Sequence, residues 1–188
     1  MRHIPNALCI LRMLLVAPVA WLLVTDNYRL TLGIFAFAAA TDGLDGFLAK
    51  RFGWTSELGK ILDPLADKIL LVGVFITLAA LGVVPVWLAA SAVLRDVVIT
   101  AGAITYKYLY GYGELQGRPT AVSKLNTLCQ IIYLLLVVAA RAVDFTPQIA
   151  ITVLGALVFI TTIVSGLDYV LTYSHKAIEV SRRRSGLA

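Results

Sequence analysis

Four aspartates interrupt two otherwise apolar segments of this chain, and they constrain its fold more than any other feature. Asp42 and Asp45 lie in the first segment, and Asp63 and Asp67 lie in the second. A carboxylate that faces lipid deep in a membrane costs roughly 2.5–3.5 kcal/mol even on a lenient insertion scale. A membrane fold must therefore turn these four side chains toward a polar cavity, where we expect them to bind cations.

The overall composition is that of an integral membrane protein. Of the 188 residues, 60% are hydrophobic and 14% are charged, and the mean hydropathy is +0.87. A soluble domain is typically about 45–50% apolar and about 25% charged. The length suits one domain, so residues 1–188 are predicted to form a single membrane-embedded unit.

The apolar segments predict six transmembrane helices, since a span needs about 20 largely apolar residues. We therefore expect an all-α integral membrane bundle with short connections. The predicted spans are residues 7–25, 29–51, 58–82, 84–110, 122–142 and 147–175.

The basic residues are distributed unevenly between the two sides that six spans define. Eleven lie on the side of the termini, whereas only Arg29 and Arg141 lie on the opposite side. The positive-inside rule then places both termini in the cytoplasm. Helices 2 and 3 run in opposite directions, so both aspartate pairs fall at a similar depth in the cytoplasmic half of the membrane. We expect the active site at the cytoplasmic face of the inner or an equivalent membrane.

The spacing within each segment places both of its aspartates on one helix face, because they are three or four residues apart. Gly46 and Gly59 share those faces and leave backbone exposed where a ligand can approach closely. Carboxylate oxygens favour Mg²⁺, Mn²⁺ or Ca²⁺, and two such ions can clamp an in-line phosphoryl displacement. The alternative is that the carboxylates pair structurally with basic neighbours, namely Lys50, Lys60, Lys68 and Arg95.

The segment from Asp42 to Asp67 resembles the signature of the CDP-alcohol phosphatidyltransferases, D-x₂-D-G-x₂-A-R-x₈-G-x₃-D-x₃-D. These membrane enzymes move a phosphatidyl or related group from a CDP-linked donor to an alcohol. Lys50 stands where the family usually has arginine, which keeps the charge but loses the bidentate fork. The matching positions are Asp42, Asp45, Gly46, Ala49, Gly59, Asp63 and Asp67.

The resemblance implies a role for each of these positions. Asp42, Asp45 and Asp63 would bind divalent metal, two ions of Mg²⁺ or Mn²⁺, and Asp67 would complete the site and act as the base. A carboxylate beside two cations has a lowered pKa, so the metal is an alternative activator, with Asp67 only receiving the proton. The positions expected to accommodate or contact the CDP group are Gly46, Ala49, Lys50 and Gly59.

A second stretch, Pro119 to Gln130, resembles the P-T-x₂-S-K-x-N-T-x₂-Q pattern of the cardiolipin synthases of the eukaryotic type. The phosphatidylglycerophosphate synthases of the same family usually carry lysine where this chain has Asn126. Glycerol 3-phosphate is a dianion that favours an extra cation, whereas phosphatidylglycerol carries one phosphodiester charge. A substrate contact and a structural hydrogen bond between helices are both open for Asn126 and Gln130.

Four basic residues join Asn126 as candidates for binding the acceptor phosphate. Arg12 and Arg95 have a structural alternative, a buried pair with an aspartate such as Asp96. Arg118 and Lys124 have another, ordinary contact with lipid headgroups. The complete candidate set is Arg12, Arg95, Arg118, Lys124 and Asn126.

The resulting hypothesis is an enzyme that moves the phosphatidyl group from CDP-diacylglycerol to phosphatidylglycerol, giving cardiolipin and CMP. The first alternative uses glycerol 3-phosphate as acceptor and gives phosphatidylglycerophosphate. A different class of function is a divalent-cation transporter with the carboxylates as its transit site. The resemblance implies a homodimer among membrane lipids. No nucleic-acid partner is expected, because contact with the membrane accounts for the basic residues.

Overall fold

The computed structural model of this chain describes residues 4–52, 59–110 and 120–184, which form six α-helices. No strand occurs in these three ranges, so the predicted all-α class is confirmed for them. The helices are α1 (Ile4–Val24), α2 (Tyr28–Phe52), α3 (Gly59–Ala80), α4 (Val86–Tyr110), α5 (Ala121–Ala142) and α6 (Gln148–Arg184).

The helix ends agree with the sequence prediction to within three residues, except at the end of α6. That helix continues to Arg184, nine residues beyond the predicted end of its span. Two described stretches, Ala121–Ala142 and Gln148–Leu171, are long and apolar enough to cross a membrane by length and composition. Shorter apolar stretches of the described residues lie in α1, α2 and α3, namely Ile10–Val24, Tyr28–Thr41 and Lys68–Ala80.

Three short turns join the helices into hairpins, α1 with α2, α3 with α4, and α5 with α6. Each turn contains one residue with positive φ: Asp26 at 57°, Gly82 at 70° and Asp144 at 52°. A residue in this left-handed conformation just past a helix end lets the chain reverse, and aspartate tolerates it better than most residues. The three hairpins therefore need only three to five connecting residues each.

The turns lie at one end of the bundle. Arg29, just after the first turn, donates from Nε to the carbonyl oxygen of Ala142 before the third turn, at 3.1 Å. Residues of the second turn, Val83 and Pro85, line a cavity together with Arg141. We call this the turn end, and we call the opposite end, where α2 ends and α3 begins, the acid end.

The three hairpins pack into a closed ring. Besides the contacts within each hairpin, α1 packs against α3, α4 against α6, and α2 against α5, while α3 also contacts α5 across the ring. The apolar core occupies mainly the half near the turn end. Its largest fully buried side chains include Leu23, Phe35, Phe75, Leu78, Leu88, Tyr133 and Leu134.

Buried polar side chains lie toward the other half of the bundle. The exception is Thr31, whose hydroxyl donates to the carbonyl oxygen of Asn27 near the turn end. The bundle thus combines a dry apolar half with a half in which polar groups are buried between helices. The buried polar residues toward the acid end are Arg12, Arg95, Asp96, Asn126, Gln130, Thr162 and Ser165.

A glycine allows α1 and α3 to approach closely. A Cβ atom added at Gly73 would come within 2.7 Å of Cγ1 of Val16 on α1. Valine has few alternative rotamers, so the helices themselves would have to move. At Gly33, by contrast, an added Cβ would have no atom of the described residues within 4 Å.

We predict that Gly73→Ala lowers the free energy of unfolding by about 1–3 kcal/mol, because it overpacks the contact between α1 and α3. The matched substitution Gly33→Ala adds the same methyl group in open space and should be neutral or stabilising by up to about 1 kcal/mol. Thermal unfolding of both variants in detergent measures the difference. Equal stability of the two variants would contradict this description of the contact.

Candidate functional site

The four aspartates occupy the predicted positions along two helices. Asp42 and Asp45 lie in the second half of α2, and Asp63 and Asp67 lie within the first nine residues of α3. Both helices pack against α1 and against α5, so the two aspartate-bearing helices share the same two neighbours. The side chains of these aspartates lie outside the part of the chain that the structure describes, and their joint metal site stays a prediction.

The other predicted positions of the signature belong to the same two helices. Gly46, Ala49 and Lys50 follow the aspartates in α2, and Gly59 is the first residue of α3. Their side-chain surroundings, like the connection of residues 53–58, lie outside the description. Among the described side chains no group of three or more histidine, cysteine or acidic residues is placed to hold a metal. The predicted carboxylate ligands are not among those side chains.

Arg95 is the centre of a buried hydrogen-bonded network. It is 5% exposed, and its Nη1 lies 2.5 Å from Oδ1 of Asp96. Its Nη2 donates to the hydroxyl of Ser123 at 2.7 Å, and its Nε donates to the hydroxyl of Ser165 at 3.2 Å. The arginine therefore connects α4 with both α5 and α6. The pairing with Asp96 is the structural alternative expected from the sequence, and a contact of Arg95 with substrate stays a prediction.

Lys68 extends this network to α3, one residue after Asp67. Its ammonium group lies 3.7 Å from Oδ1 of Asp96 and donates to the hydroxyl of Thr100 at 3.0 Å. It also donates to the carbonyl oxygen of Asp96 at 3.4 Å. Asp96 therefore receives two cations, one from its own helix and one from α3. This arrangement holds the beginning of α3 against α4 at the depth of the predicted metal ligands.

The remaining candidates for the acceptor phosphate differ in their exposure. Arg12 is buried on α1, at 4% exposure, whereas Lys124 is exposed in the first turn of α5. Thr120 caps that turn, because its hydroxyl accepts a hydrogen bond from the backbone N–H of Ser123. Arg118 lies outside the described residues.

Asn126 is fully buried between α5 and α6. Its Oδ1 accepts hydrogen bonds from the hydroxyls of Thr161 at 2.8 Å and Thr162 at 3.0 Å. Asn126 therefore forms a structural hydrogen bond between helices, which was one of the two alternatives expected from the sequence. A substrate contact by the rest of the amide is still compatible with this geometry.

Residues 2–180 match the sequence profile of the CDP-alcohol phosphatidyltransferases over nearly the whole chain. This chain belongs to that family. The resemblance inferred from the aspartate signature is thereby confirmed. The profile match includes both aspartate-bearing helices and the Asn126 stretch, so it extends well beyond the signature itself.

Curated relatives within the CDP-alcohol phosphatidyltransferase family fall into two groups by name. The chain is 31% identical over 191 residues to a cardiolipin synthase (CMP-forming) of Homo sapiens, covering 94% of this chain and 63% of the relative. It is 33% identical over 190 residues to the chloroplastic CDP-diacylglycerol–glycerol-3-phosphate 3-phosphatidyltransferase 1 of Oryza sativa subsp. japonica, covering 91% and 57%. A relative with the latter activity in Pseudomonas fluorescens is 38% identical over 110 residues, covering 53% of each chain.

These identities do not separate the two acceptor classes of the family. In addition, the chain spans less than two thirds of the length of the human and rice relatives. Family membership is therefore established by the profile and by these matches. The acceptor has to be argued from residues of the chain itself.

Three hydroxyl residues of α6 were not predicted from the sequence, although they form hydrogen bonds to polar side chains of α4 and α5. Thr161 and Thr162 contact Asn126, and Ser165 contacts Arg95. The available signal was their position within an otherwise apolar helix, where Thr161 and Ser165 lie one turn apart. Hydroxyls in such a helix are frequently used for hydrogen bonds between helices.

We predict that Asp96→Asn lowers the free energy of unfolding by about 3 kcal/mol, because it leaves the buried Arg95 guanidinium without its carboxylate. The control is Asp144→Asn, which removes a carboxylate from an exposed turn residue and should change stability by less than about 0.5 kcal/mol. Thermal unfolding in detergent gives the comparison. If Asp96→Asn unfolds at the same temperature as the control, the pairing of Asp96 with Arg95 does not stabilise the fold.

Proposed function

We propose that this chain is a six-span membrane enzyme that transfers the phosphatidyl group of CDP-diacylglycerol to phosphatidylglycerol, releasing CMP and forming cardiolipin. The observation that carries the proposal is the complete set of signature aspartates on two helices that share α1 and α5 as neighbours. Membership of the CDP-alcohol phosphatidyltransferase family supports a transferase over a cation transporter.

The surface of the helices supports embedding of the whole bundle in a membrane. Only 33% of the most apolar window of α5 and 22% of that of α6 are buried within the protein, whereas the core helix of a soluble protein is mostly buried. Large apolar side chains are exposed on every helix, for example Trp21, Phe37, Ile76, Leu94, Ile132 and Ile160. Exposed large apolar side chains on all six helices suit hydrocarbon, because soluble monomers rarely expose extensive apolar surface.

The charge distribution supports an acid end in the cytoplasm. Arg29 and Arg141, the two basic residues assigned to the opposite side, both lie near the turn end of the bundle. The positive-inside rule then orients the turn end away from the cytoplasm. With this orientation, the donor and acceptor lipids reach the aspartates from the inner leaflet. The homodimer expected from the resemblance remains part of the proposal.

The reaction is a direct displacement at phosphorus. The acceptor hydroxyl oxygen forms a bond to the phosphorus that carries the diacylglycerol group, and the bond from that phosphorus to the CMP oxygen breaks. Asp67 accepts the proton that the hydroxyl loses, and CMP leaves with the electron pair of the broken bond. No covalent link between enzyme and substrate is required.

The donor set at the acid end fits divalent metal, because four carboxylates supply only hard oxygen ligands. Asp42, Asp45 and Asp63 would hold Mg²⁺ or Mn²⁺, with Asp67 completing the set. When bound, such ions neutralise the diphosphate and make the acceptor hydroxyl more acidic. The absent side chains at Gly46 and Gly59 and the small Ala49 leave room for the CDP group, and Lys50 adds a positive charge next to its phosphates.

Asn126 favours phosphatidylglycerol as the acceptor. An uncharged amide replaces the lysine usual in the phosphatidylglycerophosphate synthases, and one cation fewer suits an acceptor with one phosphodiester charge. The relatives named as cardiolipin synthases in Homo sapiens and Rattus norvegicus, each 31% identical, agree with this assignment. The rice and Pseudomonas relatives support the alternative, glycerol 3-phosphate, so the two acceptors must be compared directly.

We predict that Asp42→Asn, Asp45→Asn, Asp63→Asn and Asp67→Asn each reduce CMP release from CDP-diacylglycerol at least about a hundredfold, as the loss of one carboxylate at a shared site costs several kcal/mol. The controls are Asp26→Asn and Asp144→Asn, which change exposed turn residues at the other end of the bundle. CMP release is measured with Mg²⁺ or Mn²⁺ and again with excess chelator. Wild-type protein that releases no CMP with either acceptor would refute the enzymatic proposal.

We predict that Asn126→Lys shifts the preference toward glycerol 3-phosphate by about tenfold or more in kcat/KM, since it adds a cation near the acceptor. Asn126→Met is the matched control, because it also removes the hydrogen bonds to Thr161 and Thr162 but adds no charge. Lipid products from each acceptor are separated by thin-layer chromatography. An equal loss for both acceptors in both variants would show that the charge at position 126 does not select the acceptor.

A further inference from the structure

Two buried amide side chains on α5 have hydrogen-bonding groups without a partner among the described residues. Asn126 and Gln130 lie one turn apart on the same face and are 0% and 1% exposed. Within the described structure, Nδ2 of Asn126 and both Nε2 and Oε1 of Gln130 have no hydrogen-bond partner. Buried amide groups are nearly always paired, so such a cluster requires an explanation.

Of the Asn126 amide, only the oxygen is hydrogen-bonded within the described structure, and the NH₂ group is available to a ligand. Its oxygen already accepts from Thr161 and Thr162, which are both on α6. The remaining capacity of the pair is therefore two NH₂ groups and one carbonyl oxygen. A hydroxyl group, which both donates and accepts, is the simplest ligand that matches this set.

The side-chain network and one ring contact fix the depth of the two amides relative to the aspartates. Arg95 joins the beginnings of α3 and α5 through Asp96 and Ser123, so these helices start at the same end. Farther along, the rings of Phe75 and Tyr133 stack with centroids 6.3 Å apart.

Asn126 lies seven residues before Tyr133, and Lys68 lies seven residues before Phe75, so Asn126 and Lys68 are at about the same depth. Lys68 directly follows Asp67 in α3. Gln130 lies about 6 Å farther toward the turn end, at ~1.5 Å per helical residue. Moreover, α5 packs against α2 as well as α3. The unused amide groups are thus on the helix that borders both aspartate-bearing helices, at the depth of the predicted reaction.

We propose that Asn126 and Gln130 bind the secondary hydroxyl of the acceptor's glycerol headgroup while its primary hydroxyl reacts, and so determine specificity for a glycerol acceptor. The inference rests on the proposed function, in which the acceptor approaches Asp67. It applies equally to phosphatidylglycerol and to glycerol 3-phosphate, because both carry this hydroxyl. The competing explanation is a trapped water molecule that bridges the two amides and has only a structural role.

The test compares two lipid acceptors that differ by one hydroxyl, phosphatidylglycerol and the analogue whose headgroup is propane-1,3-diol. A site built to bind a hydroxyl discriminates strongly against an analogue without it, because the site's polar groups then remain unpaired. We expect wild-type kcat/KM, measured by CMP release from CDP-diacylglycerol, to favour phosphatidylglycerol at least about a hundredfold.

Gln130→Met keeps the size of the side chain and removes its amide. We expect the discrimination to fall below about tenfold, mostly by a lower rate with phosphatidylglycerol and little change with the diol analogue. The control Gln148→Met removes the amide of an exposed glutamine at the start of α6 and should discriminate like the wild type. The inference is overturned if Gln130→Met still discriminates a hundredfold, or if the wild type uses both acceptors equally well while releasing CMP.

Thermal unfolding without acceptor separates the two roles even if Gln130→Met is inactive. An unused amide contributes nothing to the folded state, so its replacement should leave the unfolding temperature unchanged or raise it. Phosphatidylglycerol should then raise the unfolding temperature of the wild type more than that of the variant. A lower unfolding temperature for Gln130→Met, with the same increase on adding phosphatidylglycerol, would instead establish the structural water. If the wild type releases no CMP with any acceptor, the proposed function fails and this inference fails with it.

Discussion

The paired charges of Arg95 and Asp96 connect more of this bundle than any other interaction among the described residues. Arg95 donates to hydroxyls of α5 and α6, and Asp96 receives Lys68 from α3. In hydrocarbon, apolar side chains give helices no preference for one another over lipid, so packing and hydrogen bonds decide which helices associate. One pair of adjacent residues on α4 thereby relates four helices, and it does so at the depth of the signature aspartates.

The two halves of the bundle differ in the side chains that fill their interior. Near the turn end, close-packed aromatic and aliphatic side chains such as Phe75 and Tyr133 give the bundle its shape. Toward the acid end, the described interior contains buried polar side chains, and the charge of Asp96 is matched by Arg95 of the same helix and by Lys68 of α3. A buried charge is tolerated only with such partners. The polar half can therefore hold ionised groups for chemistry without loss of the overall packing.

The sequence predicted the six helices well, because runs of apolar residues and the turns between them are local features. It also predicted the aspartate signature and its position on α2 and α3. It did not predict the hydroxyl partners of Arg95 and Asn126, since Ser165 and Thr162 are far away in the chain and helical periodicity does not specify which helices become neighbours. The sequence predicted that Arg95 would pair with an aspartate or bind the acceptor phosphate. Its hydrogen bonds to Ser123 and Ser165 are evident only from the structure. The aspartate side chains lie outside the description, so their convergence still rests on spacing, direction and family membership.

The tight reversals at Asp26, Gly82 and Asp144 have a mechanical consequence. Each hairpin is closed at the turn end by three to five residues, one of which has a positive φ. The hydrogen bond from Arg29 to Ala142 also joins the first hairpin to the third at this end. A change in the angle between the two helices of a hairpin then displaces the turn end very little and displaces the acid end most. The architecture therefore confines any wide opening between paired helices to the acid end, where α2 ends and α3 begins.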